Sequence, residues 1–67
     1  MILKNFVKRH ISATAEYDVG IGDIYDDEKF RFTDGTTICT SKIVDEWADS
    51  ETGKKYIKTH NSIYEIE

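Results

Sequence analysis

The chain has 67 residues, 39% apolar and 33% charged, with a net charge of −4, no proline and one cysteine. Such a length fits one domain, residues 1–67, near the lower limit for a self-sufficient core. Lone Cys39 excludes an intrachain disulfide, no apolar run approaches the ~18 residues of a membrane-spanning helix, and no secretory h-region opens the sequence, so the expected setting is the cytoplasm.

Charge is unevenly placed. Residues 1–15 carry Lys4, Lys8 and Arg9 and no acid, a net of +3, whereas residues 16–67 carry all thirteen acids against six bases, a net of −7. Glu16, Asp18, Asp23, Asp26, Asp27 and Glu28 follow one another without a base among them. A surface of that sign is repelled by phosphates, which disfavours direct binding to DNA or RNA.

In chain order, Ile2, Leu3, Phe6, Val7 and His10 recur at spacings of three and four. That spacing predicts a short helix, or an irregular head, over 2–10. Ile11, Ala13, Ala15 and Tyr17 then alternate with polar residues, the pattern of a half-buried strand over 11–18. Residues 18–28 hold Gly20, Gly22 and the acid cluster and read as a loop, with Val19, Ile21, Ile24 and Tyr25 tucking part of it onto the core. The GIG triplet opens no basic or hydroxyl-rich helix, so it is a poor phosphate loop.

The main organising stretch is 29–66. It reads as four short strands cut by turn signals at 33–35 (TDG), 50–53 (SETG) and 60–61 (HN). If Thr33, Asp34 and Gly35 form a three-residue loop with Gly35 left-handed, Phe30 faces Ile38 and Phe32 faces Thr36, which gathers Phe30, Phe32 and Ile38 on one buried face. Thr40–Lys42 bend the chain into IVDEWA. There Ile43 or Val44, then Trp47, supply the core side. Around His60 and Asn61 the last hairpin sets Ile57 against Tyr64 and Lys58 against Ile63. The expected fold is mainly β: a small antiparallel meander, or a barrel of the SH3 or OB size class, with the short N-terminal helix or irregular head already noted.

No chemistry of catalytic strength emerges. Asp23, Asp26, Asp27 and Glu28 suit a hard cation, but their spacing is not that of a calcium loop. His10, His60 and Cys39 are too few and too far apart for a structural zinc set. Cys39, Thr40 and Ser41 lack a positioned base, and neighbours Asp45 and Glu46 point to opposite faces of a strand. The chain is therefore read as a non-enzyme without metal or cofactor. Its aromatics are the better lead. Trp47 and Tyr64 are expected to lean to the core, and Tyr25, beside the acids, to the surface.

The segments FTDGTTICTSKIV and YIKTHNSIYEI, with Thr59, Ser62 and Tyr64 in a T–x–x–S–x–Y unit, resemble those of small bacteriophage-encoded accessory and inhibitor proteins. The likeness covers about half the chain and rests on hairpin motifs. It implies a compact inhibitor of a host machine such as a restriction or CRISPR effector or the transcription apparatus, and it carries over no catalytic residue.

Two function classes follow. The first is an acidic protein-binding module that occludes a basic surface on a larger host protein through Asp23, Tyr25, Asp26, Asp27 and Glu28, a loop whose charge has no evident structural duty. The second is a self-associating structural or adaptor module that forms a homodimer through an edge strand. A host transcription regulator is a further alternative.

Overall fold

A computed structural model describes residues 1–12 and 14–67; Ala13, part of the expected strand over 11–18, lies outside the described residues. Six strands form one sheet: β1 (Ile2–Ile11), β2 (Tyr17–Tyr25), β3 (Thr36–Cys39), β4 (Ile43–Ala48), β5 (Lys55–Thr59) and β6 (Ile63–Ile66). Their order across the sheet is β3-β2-β1-β6-β5-β4. Two three-stranded antiparallel meanders, β1–β3 and β4–β6, are thus joined where β1 runs parallel to β6, pairing Ile2 with Glu65 and Leu3 with Ile66. The mainly β expectation holds. The parallel seam makes the sheet mixed rather than wholly antiparallel, and no helix occurs among the described residues.

The segment read as a helical or irregular head is the first strand. Its apolar spacing of three comes from a β-bulge. Lys4 pairs with Asp23 and Val7 with Ile21, so Asn5 and Phe6 together oppose one residue of β2. Asn5 takes the left-handed φ of 54° that lets the strand absorb the extra residue. The bulge shifts the alternation by one. Leu3 and Phe6 therefore both turn to the core at a spacing that imitates a helix face.

The glycine-rich segment read as a loop is most of β2. Gly20 is there because Phe6 lies over it: a methyl group on Gly20 would sit 2.5 Å from Phe6 Cε1. Further along β2, Ile24 is fully buried against Leu3, Ile38, Ile57 and Tyr64, with Phe6, Ile43 and Ile66 packed around them. The GIG triplet is thus a packing device. Buried Thr40 clasps this strand from the β3–β4 corner, since Gly20 N donates to Thr40 Oγ1 at 2.9 Å and Thr40 N to Gly20 O at 2.7 Å.

The TDG turn is formed as expected, with Gly35 at φ 88° and Thr36 N donating to Thr33 O at 3.1 Å. The strand expected before it is absent. β3 pairs instead with β2, setting Ile38 against Gly22. Residues 29–32 stay outside the sheet, so the buried Phe30–Phe32–Ile38 face does not exist: Phe30 is 93% exposed and Phe32 39%, and only Ile38 is core. The last hairpin has the expected register, Ile57 opposite Tyr64 and Lys58 opposite Ile63. Tyr64 is buried. Trp47 is 40% exposed and stacks on its cross-strand partner Tyr56, centroids 5.6 Å apart.

Gly20→Ala is expected to cost about 1–3 kcal/mol, because the added methyl must displace the Phe6 ring. A urea melt against the parent checks this; an unchanged midpoint would show that the ring moves without penalty.

Candidate functional site

The five residues singled out in the sequence lie in different settings. Asp23 lies within β2, not in a loop. Its Oδ1 accepts from Thr37 Oγ1 at 2.7 Å and its Oδ2 from Asn5 Nδ2 at 3.1 Å. Chiefly the Thr37 hydroxyl, then the Asn5 amide, hold this carboxyl below its usual range. Tyr25 ends β2 half-buried, with Lys4 Nζ 4.8 Å from its ring centre. Asp26 and Glu28 are exposed, the Glu28 side chain at 81% and 3.8 Å from the Met1 amino group.

Asp27 differs from all of these. Its side chain is only 1% exposed. Oδ1 accepts from Lys29 N at 3.1 Å, and Oδ2 from Arg31 N at 2.8 Å and Phe32 N at 3.1 Å. Arg31 Nε lies 3.6 Å from Oδ2. Burial pushes this carboxyl up, but the three backbone N–H groups and the Arg31 guanidinium outweigh it and hold the pKa below the usual value. The expectation that the charge of this loop has no structural duty is overturned for Asp27: it is the post around which residues 28–32 are wound.

What the post displays is Phe30. Phe30 N donates to Asp27 O at 3.0 Å, and Phe30 adopts φ 54°. Asparagine and aspartate visit that region readily; a bulky aromatic there is an outlier and needs surroundings that impose it. Bonds to the backbone on both sides, at Lys29, Arg31 and Phe32, supply them. The loop is also moored at its base, where Lys29 Nζ donates to Asn61 O at 2.7 Å and Ser62 Oγ at 3.2 Å, and Asp34 Oδ1 accepts from Asp26 N at 3.0 Å.

Electrostatics follow from this wiring. The two bases of the loop, Lys29 and Arg31, are engaged within the protein. Asp26 and Glu28 are the exposed acids beside Phe30, and Glu28 lies near the Met1 ammonium. Sequence reasoning missed Phe30 because an aromatic beside a turn normally fills a core. The available signal was Asp27 itself, an Asp two and four residues before chain N–H groups that it can cap. Among the described residues no group of three His, Cys, Asp or Glu side chains converges as a metal site. His10 Nδ1 contacts Asp18 Oδ1 at 2.9 Å instead of approaching His60 or Cys39. No protein family, curated protein or solved structure matches this chain.

Asp27→Asn is expected to lower the melting temperature by several degrees at neutral pH, because one oxygen becomes an NH2 facing backbone N–H groups. The folded-state pKa values of Asp27 and Asp23 lie below the ordinary value of an aspartate carboxyl, about 3.9. The stability they contribute is therefore present above that value and lost as pH falls through the folded pKa. Melting curves from pH 7 downward should steepen below about pH 4 for the parent and less for Asp27→Asn. Parallel curves would remove Asp27 from its place as the loop's post.

Proposed function

We propose that this chain is a protein-binding module whose loop 26–34 seats Phe30 in an apolar pocket of a larger partner. The observation that carries the reading is the 93% exposure of Phe30 on a strained but internally bonded backbone. A large aromatic left in water costs solubility, and holding it at φ 54° costs conformational energy. A partner pocket offsets both, and a pre-ordered anchor loses little entropy on binding. Phe32 extends the apolar contact. Asp26 and Glu28 supply an acidic rim that complements lysines and arginines around the pocket.

The partner class that fits is a host protein with a basic, nucleic-acid-handling surface, which an acidic module can occlude by competing with phosphates. This part of the reading rests on charge and on the resemblance of the hairpin segments to those of phage inhibitors. Tyr25, partly covered by Lys4, lies beside the contact instead of anchoring it.

The test is capture of partners from host lysate by the parent and by Phe30→Ala, followed by titration of the captured protein. Phe30→Ala is expected to leave the melting temperature within about 1–2 °C, since the ring packs against little. It should cost about 2 kcal/mol or more of binding free energy. Asp26→Lys with Glu28→Lys is expected to slow association and to flatten its salt dependence. A partner held equally well by Phe30→Ala would overturn the anchor.

A further inference from the structure

Beyond this loop, at the other end of β1, the sheet has an opening. β2 accompanies β1 from Ile2 to Ile11, but on the opposite side β6 accompanies it only at Ile2 and Leu3. From Lys4 to Ile11 that second edge pairs with no strand among the described residues. At about 3.3 Å per residue the free edge is roughly 25 Å long, enough for a segment of seven or so residues. Such an edge presents N–H and C=O groups that can take up another strand.

A groove of about 610 Å³ lies beside it. Phe6, Ile57 and Ile66 give it apolar lining and Trp47 is one wall, while Lys8 and Lys55 line it together with the carboxylates of Glu46 and Glu67. Lys8 is paired with Glu46 of β4 across the opening, and this hydrogen bond raises the Lys8 pKa. Arg9 has no carboxylate partner among the described residues. Past the bulge, Arg9 shares the outward face with Val7, which is 60% exposed.

Charge narrows what can cover this edge. Pairing with its own copy about a two-fold at Lys8 or Arg9 sets like charges directly opposite one another. A strand of opposite sign meets no such penalty. We propose that the free edge of β1, from Lys4 to Ile11, docks an extended segment of a partner protein in which acidic and apolar residues alternate. The segment adds to the sheet beside β1. Its acidic side chains lie outward next to Arg9, and its apolar side chains turn inward over Phe6, Ile57 and Ile66. This surface is separate from the Phe30 loop and does not depend on it.

The probe is a blocked heptapeptide of alternating glutamate and valine, titrated into the ¹⁵N-labelled chain, with a lysine–valine heptapeptide as control. The glutamate peptide is expected to shift and protect amides between residues 4 and 11, while the lysine peptide leaves them unchanged. Arg9→Glu, an exposed substitution, should weaken the glutamate peptide by roughly fivefold or more and favour the lysine peptide. No response in residues 4–11, or an equal response to both peptides, overturns the proposal. So does concentration-dependent protection of those amides in the free chain, which would assign the edge to a second copy. Phe30→Ala should bind the glutamate peptide as the parent does, so this test stands or falls apart from that of the loop.

Discussion

The fold hangs on a short seam. Two meanders are held in one sheet by the parallel pairing of β1 with β6, and that pairing is limited to Ile2 with Glu65 and Leu3 with Ile66. Its backbone bonds run from Glu65 N to Met1 O and from Glu67 N to Leu3 O, each 2.9 Å. Parallel ladders are slightly weaker per residue than antiparallel ones, so two register pairs cannot hold the halves together alone. The side chains at the seam supply the rest. Leu3 comes from one meander and Ile57 and Tyr64 from the other, and all are buried in the same cluster. The bulge at Asn5 matters because it returns Phe6 to that cluster after Leu3, so β1 gives the seam two apolar contacts where plain alternation would leave Asn5 facing inward.

The same seam explains why both candidate surfaces exist. Because β6 stops beside Leu3, β1 continues with one edge unpaired, and its basic residues come to lie along that edge. Because residues 29–32 are not needed as a strand, the chain between β2 and β3 is free to wind around Asp27. Asp26 and Glu28 stand at the Phe30 loop, whereas on the far part of β1 Lys8 is paired with Glu46 and His10 with Asp18, which leaves Arg9 as the unpaired base there among the described residues.

Much of this was legible in the chain, and the errors share a cause. The β5–β6 register could be read because His60–Asn61 gives a short turn and the flanking residues alternate without interruption. The TDG turn could be read because Gly35 tolerates a positive φ that other residues resist. What failed were the helical period assumed for residues 2–10 and the assignment of Phe30 and Phe32 to the core by residue type. The bulge turned a strand into an apparent helix. Gly20 and Gly22 looked like loop residues because the bulky side chains that require their smallness, Phe6 and Leu3, lie in another strand. Phe30 and Phe32 looked like core because nothing local says that β3 will choose β2 as its neighbour. In each case the deciding contact lies far away in sequence, where short windows carry no information.

The acidic cluster shows the same limit for function. Asp23, Asp26, Asp27 and Glu28 are alike on paper, yet two of the four carboxylates are engaged inside the protein and two face water. Composition counts them together; hydrogen bonding divides them. A buried carboxylate that accepts three backbone N–H bonds holds a loop better than any surface ion pair, because the donors are fixed in the chain and the acceptor is shielded from solvent. That is why the strained Phe30 can persist. If Asp27 were a solvent-facing acid like Glu28, residues 28–32 would relax out of φ 54°, and the ring would fold back onto the nearest apolar surface. The loop's chemistry therefore lies less in its net charge than in the one carboxylate that is hidden, and the exposed phenylalanine is its consequence.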